Sequence, residues 1–531
     1  MSMDPKRSSL IRKLVYLAVA AALLIPLFVI GRPAVVREEG KSSGGGILAE
    51  MRQRQGIAQS ELGEVDPASS AMRLASLGLH GVAVAVLQSQ ANQAKIDEEW
   101  DEMTALNNQI LRLQPNFVQV WDFQAHNMSY NTSVEFDDYR QRYAWVKKGV
   151  DFLMEGERYN RDDPLILKDL GMYMGQKMGR ADEHKQFRRL FRKDDQFVQT
   201  FPAYIDINRA YTRYGYDNWL MAGLWYDRSV SAVDERGKRL YGDGPLIFYR
   251  NPAMSKMNHA EALEDDFRPD EVAQDAWENA EEAWLGFGDR PVSSSWGEAL
   301  RLNQLEQIRL QVADRERQLD ELAPGVRERI VEERKKQLDP LFVQAVDTPP
   351  EQRTQAQVEQ ANAAAPALDV DPRLILAEIP SEKKTGQAVR LADQIAKLKQ
   401  YATYVDRYRN QIAYDYWLGR ARLEGTSDAI AARNLVLDAE EHFQAGRLEE
   451  AKEDFEKGFA LWKKLLTEFP VTLESTMADD LTDSIQLYGR TLDSLGEEFP
   501  KPFDLQRVID RQTGVETPVE SPEATEEDPA A

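Results

Sequence analysis

The sequence predicts an all-α protein. A single N-terminal transmembrane helix leads into an irregular solenoid of helix pairs, and a second helical domain follows. Three observations carry this expectation. Leu14 to Gly31 is an apolar run without a charge. Pro115 and Pro164 punctuate stretches whose apolar residues recur every three or four positions, the period of a helix with one buried face. Glycine and alanine stand where neighbouring helices must approach closely, as stacked helix pairs require.

The membrane segment comes first. LVYLAVAAALLIPLFVIG is 18 residues bounded by Lys13 and Arg32. At helical rise it reaches about 27 Å, enough to cross a hydrocarbon core. Lys6, Arg7, Arg12 and Lys13 precede it, which keeps the N-terminus cytoplasmic and sends the body to the periplasm or an equivalent exported space. A cleaved signal peptide is the rival expectation. Residues 1–46 are thus tail, anchor and spacer, the spacer being the Gly- and Ser-rich run Gly40 to Gly46.

Composition narrows the function. The 531 residues are 42% hydrophobic and 29% charged, so most of the chain can bury cores. A net charge of −23 argues against nucleic acid as a partner, since affinity for phosphate backbones rests on Lys and Arg. The basic run Lys185 to Lys193 is expected to be a solvated helix face with Phe187, Leu190 and Phe191 inward. No cysteine is present, which excludes disulfides, Cys-ligated zinc, iron–sulfur clusters and covalent c-type haem. No cofactor and no metal site are expected.

Residues 47–295 form the expected repeat domain. A buried helix runs from about Ala71 to Ile96. Trp100, Met103, Leu106, Ile110 and Leu113 stripe the next, which Pro115 ends. Trp121 and Ala125 lie four apart on its successor. His126 to Asp138 is a polar loop in which His126 and Asn131 are binding candidates, and Asp137 or Asp138 caps the helix Tyr139 to Tyr159. Leu165 to Met178 carries Gly171 and Gly175 for close packing. The tract Phe201 to Arg228 holds Tyr211, Trp219 and Trp225, which either line a groove or fill a core. Tyr241 to Pro252 is a non-helical insertion, with Phe248 and Tyr249 as binding candidates because loops on a rigid scaffold often carry function. Glu271 to Gly286 is a further amphipathic helix, and the domain ends near Ser295.

Residues 296–346 are expected to be an antiparallel hairpin, its first helix striped by Leu305, Ile308, Val312, Leu319 and Leu322, with Arg315 in the seam. Residues 347–382 are a Pro/Ala/Gln linker. Residues 383–512 are a helical domain: one long helix to Leu423, then Ala432 to Lys463 as a helix pair. Residues 513–531 are a disordered acidic tail.

Several of these residues resemble a known pattern. Trp121 with Ala125, and later Ala439, Gly446, Leu448, Ala451 and Phe455, stand as in a tetratricopeptide repeat. Trp100, Met103 and Ile110 fit its second helix, and Asn107 departs at one position. The spacing of Pro115 and Pro164 is longer than that repeat's period. Gln114-Pro-Asn-Phe117, Trp121, Ala125-His-Asn-Met-Ser-Tyr-Asn131, Val134-Glu-Phe-Asp-Asp-Tyr139 and Pro245-Leu-Ile-Phe-Tyr249 resemble membrane-anchored bacterial proteins with tetratricopeptide-like repeats. The resemblance implies architecture and tethering, and supplies no catalytic residue.

The function expected is a scaffold that binds a protein or an extended peptide on the non-cytoplasmic side of the membrane; the oligomeric state is left open. The alternative is a small-ligand or envelope-polymer module using an aromatic groove. A hydrolase built from Glu135 to Asp138 with His126 or His259 ranks last, since no His-Glu-x-x-His, Gly-x-Ser-x-Gly or phosphate loop occurs.

Overall fold

The computed structural model describes residues 35–36, 42–43, 80–97, 99–240, 242, 244–379, 386–470 and 476–513. They are overwhelmingly helical, as the fold class requires. Three two-stranded antiparallel pairings, the first joining β1 (Val35–Val36) to β2 (Ser42–Ser43), are the sheet content. Among the described residues no helix is long and apolar enough to cross a membrane. The predicted span Leu14 to Gly31, most of the spacer and the tail from 514 lie outside the described residues. The chain divides into two compact units, 1–243 and 244–531.

The first unit holds α1 (His80–Ile96), α2 (Trp100–Leu113), α3 (Val118–His126), α4 (Tyr139–Tyr159), α5 (Pro164–Met172), α6 (His184–Phe191) and α7 (Asn218–Asp234). Local chemistry sets the starts. Asp138 accepts from the Arg140 amide at 2.8 Å and opens α4. Asp163 accepts from Leu165 and Ile166, with Pro164 in the first turn where its missing N–H costs nothing. Asp217 accepts from Trp219 and Leu220, both at 2.9 Å, to open α7. The predicted turn at Pro115 is held by its carbonyl, which accepts from Trp121 Nε1 at 2.7 Å and Asn160 Nδ2 at 3.0 Å.

Small residues decide how these helices touch. A Cβ on Gly156 would sit 2.8 Å from the Trp121 ring. Gly171 faces Tyr226, and Gly175 and Gly179 face Trp219, each too close to admit a side chain. The expected close packing of Gly171 and Gly175 is therefore real, against α7. In α6, Phe187 and Phe191 are fully buried and Leu190 half-buried, as the basic run predicted, but Arg188 of its expected solvated face is buried as well. A hairpin of β3 (Tyr211–Thr212) and β4 (Gly215–Tyr216) precedes α7.

The polar loop expected at His126 to Asp138 is mostly helix. Asn127–Thr132 continues α3 as a π-helical turn. Asn127, Ser129 and Ser133 are buried there, and Ser129 lies against Gly149 of α4. Packing on a glycine lets short polar side chains sit inside a helix that their composition disfavours. A second π-helical turn, Tyr173–Lys177, follows α5.

The second unit opens with α8 (Pro245–Asp266) and α9 (Glu271–Asp289). The non-helical insertion expected at Tyr241 to Pro252 is thus corrected: Pro245 starts α8 and Pro252 lies inside it. A proline in a helix interior costs about 3 kcal/mol. Burial of Leu246, Phe248, Ala253, Met254, Met257, Ala260 and Leu263 at helical spacing offsets it. After β5 (Val292–Ser293) and β6 (Ala299–Leu300) come α10 (Leu305–Leu322), α11 (Val326–Lys335), α12 (Pro340–Asp347), α13 (Gln355–Leu368), α14 (Pro372–Glu378), α15 (Gly386–Gln411) and α16 (Tyr414–Glu424). The predicted hairpin takes another form. α10 lies chiefly along α15, sharing a core of Leu319, Ile375, Leu391 and Ile395. Arg315 reaches Gln394 across that seam at 3.2 Å. The segment read as a linker is helical too, opened at α13 by a reciprocal cap between Thr354 and Gln357. The long helix predicted to Leu423 breaks at Ala413, whose φ of 50° is left-handed.

The last four helices are α17 (Ser427–Gln444), α18 (Leu448–Glu468), α19 (Thr476–Leu495) and α20 (Gln506–Thr513). α17 and α18 form the predicted pair. Gly446 turns it at φ 74°, and Ala439, Ala451 and Phe455 are wholly buried. Phe459, Trp462 and Tyr488 complete this core.

Candidate functional site

The predicted site residues scatter. Trp219 and Trp225 are 2% and 0% exposed. Trp219 lies under Gly175 and Gly179; Trp225 packs tilted against Phe201 and edge-on to Tyr204. Both are core, so they line no open groove. Tyr211 is 60% exposed on its hairpin, with its ring edge against Tyr216. In the second unit Phe248 is buried, and half-buried Tyr249 lies 3.8 Å beneath the Arg290 guanidinium. His126 is exposed and stacks on Tyr130 at 4.6 Å. Exposed Asn131 donates to Asn127 Oδ1 at 3.0 Å. Glu135, Asp137 and Asp138 are exposed, and Asp138 is occupied as a helix cap.

Two polar features of the first unit were not singled out in the sequence. One is a carboxyl pair. Asp122 of α3 and Asp169 of α5 come within hydrogen-bonding reach. Asp169 is 3% exposed. Lys168 approaches its Oδ1 at 3.1 Å, while Oδ2 has no donor. Burial pushes Asp169 up, and the Asp122 charge pushes it further, to about 8. Asp169 is therefore protonated near neutral pH. Tyr173, fully buried with an unpartnered hydroxyl, is driven up by burial and then by both acids. Its ring lies 5.7 Å from Tyr130, and the Lys177 ammonium caps Tyr130 at 4.6 Å. The two π-helical turns thus meet at this cluster.

The other feature is a cleft of about 220 Å³ between α1, α2 and α3. Gln88, Ala91 and Asn92 come from α1, Met103 and Asn107 from α2, and Phe117, Gln119, Val120 and Phe123 from the start and body of α3. Among the described residues that line it, none is charged. Gln88 Nε2 donates to Asn92 Oδ1 at 3.2 Å, but Gln88 Oε1 is buried without a donor. Asn107 is 3% exposed. It was visible in the sequence as a carboxamide in an apolar stripe; its neighbours, from separate helices, were not.

The second unit buries a different cluster. Glu264 of α8 and Glu424 of α16 share two guanidiniums. Arg433 takes Glu424 in a two-point pair and approaches Glu264 at 3.4 Å. Arg420 lies 2.8 Å from Glu261 and 3.7 Å from Glu264. Trp277 Nε1 donates to Glu264 at 2.6 Å. Burial pushes Glu264 up to about 8. Glu424 stays below the ordinary carboxylate value although burial opposes it, because Arg433 and Arg420 favour its charge.

Among the described residues no three His, Asp or Glu side chains are placed to hold a metal ion. No family model matches the chain, and no curated protein matches it.

Proposed function

We propose that the chain is a membrane-tethered helical-repeat scaffold that binds a protein or an extended peptide on the non-cytoplasmic side. The tether is Leu14 to Gly31, argued from its apolarity alone. The tetratricopeptide-like character rests on the repeat pattern of Trp121, Ala125, Ala439, Gly446 and Ala451. The observation that best supports the reading is the way helix pairs are joined. Gly156 admits Trp121, Gly171 admits Tyr226, and Ala451 with Ala439 brings α17 and α18 together. Helix pairs packed through small residues spend their large ones on a continuous core and leave outer faces for partners. Binding, not catalysis, is the role proposed.

The test is crosslinking of the full-length protein in its membrane, followed by purification and mass spectrometry. A defined set of exported or envelope proteins, recovered reproducibly over a mock sample, is the expected result. Background alone, with the protein intact and membrane-bound, overturns the scaffold.

A further inference from the structure

We propose that the cleft between α1, α2 and α3 binds an extended, uncharged peptide segment with one bulky apolar side chain. The proposal rests on the scaffold reading and names its ligand class. Three properties of the cleft carry it.

The first is charge. Every described lining side chain is neutral, in a chain where 29% of residues are charged. A charged ligand entering it would be desolvated without an ionic partner, so phosphates, acidic peptides and basic peptides are disfavoured.

The second is hydrogen bonding. Carboxamides at Gln88, Asn107 and Gln119 each offer an acceptor and a donor group. A peptide main chain offers the same two groups in alternation. Gln119 is exposed at the rim, where an incoming main chain can reach it. Asn107 stands on α2 amid Met103, Leu106 and Ile110, all buried, where an apolar residue would pack more simply.

The third is size. About 220 Å³ is smaller than the roughly 300 Å³ at which sites for drug-sized ligands begin. It holds one large side chain with its flanking backbone. Met103, Phe117 and Phe123 supply the apolar wall, and methionine adapts to different side-chain shapes.

The experiment is selection of a random peptide library displayed on phage against the full-length protein in detergent. A selected peptide is then titrated by fluorescence anisotropy. Two variants accompany the wild type. Gln119→Lys puts a charge at an exposed rim position and leaves the core untouched. Asn107→Leu removes the buried carboxamide, and its folding is checked by thermal denaturation. The expected selection is a motif with Leu, Ile, Met or Phe at one position and no charge beside it. Each variant should weaken binding by about tenfold or more. Three results overturn the proposal: no enriched motif, a charged motif, or peptides that bind Gln119→Lys and wild type equally. Recovery of a small molecule bound in the cleft, seen by native mass spectrometry and displaced by no peptide, overturns it too. The two readings fail separately. If crosslinked partners persist with Gln119→Lys and no peptide is selected, the cleft assignment falls and the scaffold stands. If peptides bind and no partner is ever crosslinked, the scaffold falls and the cleft stands.

Discussion

Each unit buries an acid beside a second acid, Asp169 against half-buried Asp122 in one and Glu424 against Glu264 in the other, and the two settings differ. Glu264 and Glu424 sit between two arginines, and Trp277 donates to Glu264. Asp122 and Asp169 have one lysine, and Asp169 Oδ2 has no donor. A buried charge that loses its partner is costly, whereas a buried pair complete with its hydrogen bonds mainly fixes geometry. The glutamate cluster therefore acts as a pin joining α8, α16 and α17. Asp169 instead holds a proton, as Glu264 does, both being pushed up to about 8, whereas the equally buried Glu424 stays below the ordinary carboxylate value. The lesson is that burial alone does not separate an ionised acid from a protonated one. The charges and donors around it do.

The largest effect should come from breaking the pin. Glu424→Ala removes the two-point partner of buried Arg433, leaving it only Glu264 at 3.4 Å, while Arg420 keeps Glu261. The expected loss is about 3–5 kcal/mol, as for other broken buried pairs, read as a lower midpoint in urea with an unchanged slope. A loss under about 1 kcal/mol would mean that the cluster is hydrated and not a pin.

The aspartate pair should reveal itself through pH. Asp169 has a folded value near 8 against an ordinary 3.8. Between these the folded state holds a proton that the unfolded chain releases. Stability is then fully present below about pH 4, falls as pH rises, and levels off above about pH 8. The slope is at most about 1.4 kcal/mol per pH unit. Asp169→Asn removes the titration and keeps a donor toward Asp122. Its stability should fall about half as steeply across that window, Glu264 still titrating there, so the gap to wild type closes with rising pH. Parallel wild-type and variant curves would show that Asp169 holds no proton.

The smallest effect concerns Lys168. Lys168→Met removes the ammonium beside Asp169. Because the proton already satisfies much of the pair, the cost at pH 6 should be only about 1 kcal/mol. The fall of stability with pH should also move upward, since no ammonium then favours ionisation of Asp169. Thermal melts at several pH values measure both.

What was legible in the sequence was local. Asp138 announces α4 because a cap depends on its own neighbours, and that helix runs from Tyr139 to Tyr159 as predicted. Gly446 and Ala451 announce the α17–α18 turn for the same reason. The failures involved residues far apart in the chain. Asn127 to Ser133 looks like a loop until Gly149 is brought against it. Pro252 reads as a break until the apolar face of α8 has a core to meet. α10 passes over its neighbour in sequence to lie along α15, which no periodicity reveals. The site suffered most. Trp219 and Trp225 are as well suited to a groove as to a core, and glycines on another helix decide between them. The cleft needs three helices at once.

The winding after α5 has a consequence for chain length. Gly171, Gly175 and Gly179 all face α7, four residues apart. In ordinary α-helix a four-residue step overshoots a full turn by about 40°, so three such residues drift around the barrel of the helix. The wider turn at Tyr173–Lys177 takes up part of that drift. It works as a phase correction, keeping three notches in one line beneath two aromatic rings. Removing a single residue from α5 ahead of that turn would swing Gly179, with all of α6 behind it, by about 100°. At this point the number of residues is specified as tightly as their kind.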